Sequence, residues 1–301
     1  MPARAISIQT LIERSLIYPD GFLSPLEIED AVTRGLAEDL GRAGDVTSIA
    51  TIPVGTPSRV VLAARKAGTI AGLPLMATAM RRLSPEIEIE PIARDGDTVA
   101  AKTVLMKING DARAVLSAER VALNFLGHLS GIATATAEFA RRISHTKARV
   151  CCTRKTTPGL RALEKYAVRC GGGFNHRFGL DDAILIKDNH VAVAGGIRPV
   201  LERAKAKAGH LVKIEIEVDS IEQLREVLDV GLADVVLIDN FDLASMKHAV
   251  AMVAGKLVIE ASGGINLDNA AAIAATGVDY LSSGALTHSS PSLDVGLDIE
   301  I

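Results

Sequence analysis

The chain has 301 residues, of which 48% are hydrophobic and 23% charged, and its formal net charge is −3. This composition excludes an intrinsically disordered protein and is typical of a globular enzyme with a large core. The slight acidic excess argues against nucleic acid or an anionic membrane as the main partner. The aromatic content of 3% and the absence of Trp argue against base stacking. Any site for an anionic ligand must therefore be formed by a local cluster of basic residues.

The cysteines and the first residues of the chain indicate the cellular compartment in which the protein is expected to reside. Cys151 and Cys152 are adjacent and Cys170 lies in a predicted helix, a pattern that suits neither a disulfide framework nor a zinc site. We expect buried, reduced thiols. Residues 1–10 contain no apolar stretch of secretory length, and charges interrupt the later apolar runs. We therefore expect a soluble, cytoplasmic protein.

The first third of the chain predicts a small α/β domain. Ser24-Pro25-Leu26-Glu27 is a capping box with Pro at the first helical position, so a helix should run to about Asp39, before Gly41. Short runs rich in Val and Ile follow between Arg59 and Asn109, separated by turn sequences. They predict a small sheet with packed helices.

A second helix is predicted from about Ser117 to Ile143. Gly127 and Gly131 would let another backbone approach this helix closely. We interpret the helix as a hinge between domains or as a subunit contact.

Beyond Ala148, strands and helices alternate regularly, which predicts βα units around a parallel sheet or barrel. The candidate strands are Val150–Thr153, Ala183–Lys187, Val212–Val218, Val235–Ile238, Leu257–Glu260 and Tyr280–Ser282. Six units fall short of the eight in a complete barrel. We predict an N-terminal α/β domain over residues 1–116 and an open α/β barrel over 117–285. The tail, 286–301, is expected to return to the first domain.

Polar residues follow these strands at or near their carboxyl ends, which is the active-site edge in parallel α/β folds. They are Lys155, Lys187, Glu217, Asp239, Ser262-Gly263-Gly264 and Ser283-Gly284. Cations that converge there suit phosphate or carboxylate. Glycine loops that follow consecutive strands present backbone N–H groups to a terminal phosphate, although turn chemistry alone also places Gly after strands.

Two carboxylates have competing interpretations. The segment from Lys213 to Asp219 alternates strictly, so its charges share one face, and Glu217 is a candidate for a metal ion or ribose hydroxyls if that face lines a barrel. An edge strand with a solvated face is the alternative. Asp239 directly follows four apolar residues, and its alternative role as a helix cap suits Asp242 better.

Several motifs closely resemble the quinolinate phosphoribosyltransferase family. The resemblance lies in Thr153–Arg161, Gly171–Arg177 and Ile186–His190, and extends through Glu38-Asp39, Gly44–Thr47, Glu119-Arg120, Gly127–Gly131, Asp239–Phe241 and Ser262–Ile265. It therefore spans nearly the whole chain. It implies a decarboxylating pentosyltransferase of NAD biosynthesis that uses phosphoribosyl pyrophosphate and Mg²⁺, built as an N-terminal α/β sandwich joined to an open α/β barrel. It also implies a homodimer.

The resemblance assigns roles to particular residues. Arg120 would reach the partner subunit's site, while Thr153, Arg154, Lys155, His176, Arg177 and Lys187 bind quinolinate and its two carboxylates. Glu217 and Asp239 would engage ribose hydroxyls and Mg²⁺, directly or through the substrate. Ser262, Gly263 and Gly264 with Ser283, Gly284 and Ala285 would hold the 5-phosphate. Lys155, Lys187, Glu217 and Asp239 are the implied catalytic set.

Other interpretations stay open at this point. Lys187 at a strand end also suits a Schiff-base aldolase. A related pyrophosphorylase acting on another anionic base, or a sensing barrel without turnover, would share much of the site. Arg161 and Lys165 lie on a predicted helix face and are expected to be solvated, and His128 and His190 are expected to be buried and hydrogen-bonded.

Overall fold

The fold is taken from a computed structural model that describes residues 23–300. Predictions for residues 1–22 and Ile301 lie outside the described residues. Within 23–300, no helix has the length and apolar character needed to cross a bilayer. Residue contacts divide the described chain into two compact units: 23–135, 157–172 and 290–300 form the first, and 136–156 and 173–289 the second. The domain boundary at 116/117 stays a prediction.

Strands and helices alternate from Arg149 onward, whereas strands follow one another directly in much of residues 57–111. The strands are β1 Pro57–Ala64, β2 Gly68–Thr69, β3 Glu88–Pro91, β4 Thr98–Val99, β5 Val104–Asp111, β6 Arg149–Cys151, β7 Ile184–Ile186, β8 Ile214–Val218, β9 Val235–Asp239, β10 Val258–Ser262, β11 Tyr280–Ser282 and β12 Val295–Glu300. The helices are α1 Pro25–Leu40, α2 Val46–Thr51, α3 Leu73–Leu83, α4 Ala112–Ile143, α5 Arg161–Cys170, α6 Asp188–Ala194, α7 Ile197–Lys207, α8 Ile221–Val230, α9 Leu243–Val253, α10 Ala270–Ala274 and α11 Ala285–His288.

The first unit is an α/β sandwich. Its antiparallel sheet has the order β12-β1-β5-β3, and β2 pairs with β4. Ser24 is the N-cap of α1 as predicted, because its Oγ accepts a hydrogen bond from the Leu26 N–H, and Pro25 opens the helix; the return bond from Glu27 that completes a capping box stays a prediction. Gly41 ends this helix with a φ of 52°, a conformation that favours glycine.

The C-terminal segment packs against α4 within this unit. A Cβ on Gly131 would lie 2.2 Å from the carbonyl oxygen of Pro291, and one on Gly127 would lie 3.1 Å from that of Leu293. The Leu293 N–H also donates to the Gly127 carbonyl at 2.9 Å. The backbone predicted to approach α4 is therefore the chain's own segment after α11. Helix α4 also begins earlier than predicted, at Ala112.

The connection after β6 leads the chain into the first unit. Helix α5 belongs to the first unit, although it follows a barrel strand in sequence. Lys165 is 1% exposed and the neighbouring Glu164 0%, so the expectation that Lys165 is solvated is wrong. Glu164 accepts from Thr157 N–H at 3.1 Å and pairs with His128 at 2.9 Å. His128 is thus hydrogen-bonded as expected.

The second unit is the open α/β barrel. Its parallel sheet has the order β6-β11-β10-β9-β8-β7, and the two end strands are not paired with each other. All six predicted strands are present. Each strand's carboxyl end lies at the same edge of the sheet, because all the strands run in parallel. That edge gathers the loops which carry the polar motifs.

Strand β8 shows how the barrel is built. Ile214, Ile216 and Val218 are 1% exposed or less and belong to the apolar core between sheet and helices. Glu215 and Glu217 alternate with them and occupy the opposite face. Because β8 lies between β7 and β9, the alternative of an edge strand is wrong.

Candidate active site

A cavity of about 700 Å³ opens at the carboxyl edge of the barrel sheet. With the exception of Arg120, every predicted site residue lines it: Thr153, Arg154, Lys155, His176, Arg177, Lys187, Glu217, Asp239, Ser262, Gly263, Gly264, Ser283, Gly284 and Ala285. These residues come from segments that are far apart in sequence. Their shared position after parallel strands is what brings them together.

Arg120 lies elsewhere, in the first unit. It is exposed on α4 and lines a separate cavity of about 420 Å³ with Asn124, Gly127 and Ser292. Its predicted role, in the site of a partner subunit, stays a prediction.

Two lysines face the cavity from different strands. Lys187 follows β7, and its Nζ lies 2.5 Å from Oε2 of Glu217 at the end of β8. A Schiff-base lysine needs a desolvated, apolar surrounding or a neighbouring cation. Lys187 instead is 48% exposed at its side chain and bonds a carboxylate. This environment favours a cationic role and disfavours the aldolase interpretation.

Lys155 is held against the loop that follows β11. Its carbonyl accepts from the Thr287 hydroxyl at 2.7 Å, and a Cβ on Gly284 would lie 2.8 Å from its Cδ. Glycine at 284 lets the lysine stem pass close to the loop, and a larger residue there would displace the Lys155 side chain. The contact brings the cation beside the predicted phosphate loop.

The end of β9 meets the loop after β10. Asp239 pairs in register with Ser262, and Asn240 donates its backbone N–H to the Ser262 carbonyl. Asn240 Nδ2 bonds Asp239 Oδ2 at 2.6 Å, which orients the carboxylate. Gly263 has a φ of 89°, and a Cβ there would lie 2.9 Å from the Asn240 backbone nitrogen. The glycine thus permits both the turn and the close approach.

Two arginines carry buried N–H groups without acceptors. Among the described residues, no hydrogen-bond partner is present for Nε of Arg154 or Nε of Arg177. Burial, and after it the positive charge of Arg154, lowers the pKa of Arg177, although the guanidinium stays charged. Two neighbouring cations with unsatisfied buried donors form a site for an anionic ligand.

A buried acidic cluster lies deeper in the barrel, around His176. Its Nε2 is 2.8 Å from Glu215 Oε2 and 3.6 Å from Glu260 Oε1. Its Nδ1 accepts the Arg177 N–H at 2.7 Å. Because Nδ1 uses its lone pair in that bond, a neutral ring carries its proton on Nε2, where Glu215 accepts it.

The three side chains also have the composition of a metal site, since their nearest ligand atoms all lie within 4.8 Å of one another. A metal on Nε2 would require the proton to move to Nδ1, where the Arg177 N–H already points. The hydrogen-bond pattern therefore favours a proton over a metal ion in this cluster.

Sequence reasoning missed part of the cavity lining. The additional residues are Leu185, Leu237, Asn240, Glu260, Ile265, Ser282 and His288. Glu260 could have been predicted, because it stands two residues before Ser262, and strand alternation places both on the same face of β10. His190, expected to be buried, is exposed, and its Nδ1 accepts the Lys187 N–H at 2.9 Å. All three cysteines are buried and none forms a disulfide, as predicted.

The fold and cavity define an α/β-barrel enzyme site for a multiply anionic ligand. The chain belongs to the quinolinate phosphoribosyltransferase family: the family model for the N-terminal domain matches residues 45–130, and that for the C-terminal domain matches 132–298. These matches cover most of the chain.

Named relatives agree with the family models. The chain is 41% identical over 280 residues to a probable nicotinate-nucleotide pyrophosphorylase [carboxylating] of Bacillus subtilis, covering 93% of this chain and 96% of the relative. It is 43% identical over 275 residues to the nicotinate-nucleotide pyrophosphorylase [carboxylating] of Mycobacterium leprae, covering 90% and 96%.

Solved structures share the architecture. The nicotinate-nucleotide pyrophosphorylase from Francisella tularensis superposes with a TM-score of 0.89 at 36% identity, covering 93% of this chain and 98% of that one. The enzyme of the same name from Ehrlichia chaffeensis gives a TM-score of 0.87 at 39% identity, covering 92% and 99%. The predicted fold, a sandwich domain with an open barrel, is confirmed.

Proposed function

We propose that this protein transfers the phosphoribosyl group of phosphoribosyl pyrophosphate to quinolinate and releases CO₂. The products are nicotinate mononucleotide and pyrophosphate, which makes the protein a decarboxylating pentosyltransferase of NAD biosynthesis. The observation that carries the proposal is a pair of buried Nε–H groups, on Arg154 and Arg177, that have no hydrogen-bond partner within residues 23–300 and lie in a cavity lined by Lys155 and Lys187. A planar dicarboxylate would satisfy these donors.

The arginines and the lysines bind the carboxylates of quinolinate in different ways. Arg154 and Arg177 offer planar, paired donors that match carboxylate geometry, whereas the two lysines act as point charges. His176 closes the inner end of this group, with its Nε2 proton directed to Glu215. Thr153 lines the same cavity. Together they recognise two carboxylates on one ring.

The other half of the cavity suits a ribose phosphate. Glu217 and Asp239 end adjacent parallel strands and are placed for ribose hydroxyls. The segments 262–264 and 283–285 line the cavity after β10 and β11, with Ser283 bonded to the Ile265 carbonyl at 3.1 Å. Backbone N–H groups in such glycine loops bind a terminal phosphate.

The reaction requires no covalent nucleophile. It requires groups that stabilise the charges which develop on the sugar and on the departing pyrophosphate. When the pyridine nitrogen attacks the anomeric carbon, the sugar becomes cation-like while pyrophosphate departs with its negative charge. Carboxylates at Glu217 and Asp239 stabilise the positive sugar, and cations around the cavity stabilise the negative charge of the departing pyrophosphate. The alkylated ring nitrogen then accepts the electron pair left by CO₂.

Mg²⁺ fits the same donor set. Glu217 and Asp239 supply carboxylate oxygens, which Mg²⁺ prefers, and Lys187 bonds only Oε2 of Glu217. The ion would neutralise charge on the diphosphate when bound. A homodimer in which Arg120 completes the partner's site, and a cytoplasmic location, are parts of the same proposal.

Calorimetric titration with quinolinate and with nicotinate tests substrate recognition. We expect quinolinate to bind at least about tenfold more tightly, because nicotinate lacks one carboxylate and leaves a buried arginine donor unpaired. Equal affinities would contradict the dicarboxylate assignment and favour a pyrophosphorylase for another anionic base. Binding without turnover would instead favour a sensing barrel.

A further inference from the structure

The carboxyl of Glu260 is buried and incompletely bonded. The residue is 5% exposed, and its Oε1 has no hydrogen-bond partner among the described residues. Its Oε2 lies 3.8 Å from the Cys151 sulfur. Glu215, 8% exposed, likewise has an Oε1 without a hydrogen bond. Two carboxylates in this space would leave a large uncompensated negative charge.

The neighbours of Glu260 reduce that cost only in part, because burial and Glu215 raise the pKa of Glu260 by more than His176, Ser282 and Cys151 lower it. Glu215 of β8 is acidic, Cys151 of β6 is a thiol, and Ser282 of β11 contributes only a hydroxyl. His176 accepts the Arg177 N–H at Nδ1, so Nε2 is the ring nitrogen that carries a proton toward the two acids. The charge is removed most simply by a proton on Glu260.

Electrostatics support this protonation state. Burial, and after it the charge of Glu215, raises the pKa of Glu260 to about 7. A neutral Glu260 also avoids repulsion with the dicarboxylate proposed to bind at Arg177 and His176, which line the same cavity. A substrate anion bound nearby would favour the protonated form still further.

Glu260 has access to solvent from a second direction. A separate cavity of about 200 Å³ lies toward the amino ends of the strands, where it is lined by Val235, Val258 and Tyr280, the first residues of β9, β10 and β11. Glu260, His176 and Arg177 line both this cavity and the main one. Water in the rear cavity could exchange protons with Glu260 while substrates fill the front.

We infer that Glu260 is the acid that donates the proton which replaces CO₂ on the pyridine ring. The inference rests on the proposed function. In this step the bond between ring carbon 2 and its carboxylate breaks, CO₂ leaves, and the electron pair stays on carbon 2 beside the positive nitrogen. Carbon 2 then takes the Glu260 proton, and the resulting Glu260 carboxylate takes a proton from water in the rear cavity. Atoms and charges balance with one solvent proton consumed per CO₂ released.

The inference predicts a specific defect in Glu260→Gln. Glutamine keeps the shape and neutrality of the acid but donates no acidic proton, so phosphoribosyl transfer continues while carbon 2 recaptures CO₂. The dicarboxylate mononucleotide would then leave the enzyme. We expect CO₂ released per pyrophosphate to fall about tenfold or more from the 1:1 ratio of the wild type.

Pyrophosphate, CO₂ and the dicarboxylate mononucleotide are measured in the same samples at pH 6.5. Cys151→Ala is the matched control, because it alters packing beside Glu260 without removing the acid, and it should keep the 1:1 ratio. A 1:1 ratio in Glu260→Gln, or an equal fall in both products, would overturn the inference. If the wild type releases neither product, the proposed function itself fails.

A second measurement needs no variant. In single turnovers of the wild type, CO₂ release should slow as the pH rises through about 7, where Glu260 loses its proton, while pyrophosphate release is less affected. Glu215→Gln removes the neighbouring charge and should move this fall to lower pH. CO₂ release that does not vary with pH relative to pyrophosphate release would overturn the assignment.

Discussion

Lys187 and Glu217 form an ion pair across the carboxyl ends of two adjacent parallel strands. The Nζ to Oε2 distance is 2.5 Å, and the Glu217 side chain is 13% exposed. Each residue was predicted separately as a site residue, but the contact makes their roles interdependent. Lys187 orients Glu217, and Glu217 fixes the position of the lysine cation that faces the cavity.

The pair should therefore behave non-additively. We expect Lys187→Met and Glu217→Gln each to lower kcat/KM by roughly 10²-fold, because each removes a charge placed for the transition state. The double variant should lose much less than the product of the two single losses. Steady-state kinetics on all four proteins measures this coupling. Losses that multiply would show that the two side chains act independently.

The arginine pair should control quinolinate binding. Arg177→Lys and Arg154→Lys retain charge but lose the paired planar donors, so we expect the KM for quinolinate to rise roughly 10²-fold. The KM for phosphoribosyl pyrophosphate should change little. Arg198→Lys, at a side chain that is 55% exposed, is the matched control. Equal effects on both substrates would refute the assignment.

Gly263 should be required for the geometry of Asp239. In Gly263→Ala the new Cβ meets the backbone nitrogen of Asn240 at 2.9 Å, with a φ of 89°. We expect kcat/KM to fall by about 10–10²-fold, because displacement of Asn240 misplaces its neighbour. Gly264→Ala has a positive φ but no atom within 4 Å of the new Cβ, so its loss should be smaller. Equal losses would assign the effect to backbone strain alone.

The barrel could be predicted from sequence because its strands end in polar residues at regular intervals. Every predicted barrel strand exists, with end shifts of one or two residues, as in β10, which continues to Ser262. Glu260 therefore lies inside its strand rather than at its end. Its proximity to Glu215 depends on the strand order, since β8 and β10 flank β9. The two glutamates are far apart in the sequence, so their contact could not be predicted without the strand order.

The burial of Lys165 on helix α5 was not predicted, for a related reason. Its charged residues predict a solvated face, whereas Lys165 and Glu164 are buried in the first unit. The close approach to Gly131 was predicted, but its partner was not. Local patterns identify a surface that must be covered, and long-range packing decides what covers it.

The close contact between Gly131 and the C-terminal segment predicts that a side chain at position 131 would destabilise the fold. Gly131→Ala places a Cβ 2.2 Å from the Pro291 carbonyl oxygen, so the C-terminal segment must move, and we expect a loss of about 1–3 kcal/mol in unfolding free energy. Gly127→Ala, with 3.1 Å to the Leu293 oxygen, should be close to neutral because alanine's helix propensity offsets the milder contact. Chemical denaturation compares them. Equal stabilities would refute the packing argument.

Asp95 should make stability depend on pH. It is 2% exposed and accepts from Gly72, Leu73 and Tyr166, and burial raises its pKa from 3.8 to about 6. Because the folded-state pKa lies above the unfolded value, this contribution is complete below 3.8 and is lost as the pH rises through about 6.

Asp95→Asn removes that titration. The stability difference between wild type and variant should therefore be larger at pH 4 than at pH 7, by about 2–3 kcal/mol. Denaturation at both pH values measures it, and all unchanged groups cancel in the comparison. A difference that is constant with pH would contradict the assignment of a raised pKa to Asp95.

The most direct test of the account is turnover of the purified protein with quinolinate, phosphoribosyl pyrophosphate and Mg²⁺, with nicotinate as the parallel substrate. Pyrophosphate, CO₂ and mononucleotide are quantified together. We predict equal amounts of the three products from quinolinate and no mononucleotide from nicotinate. Turnover of nicotinate in preference to quinolinate, or of neither, would contradict the proposed function.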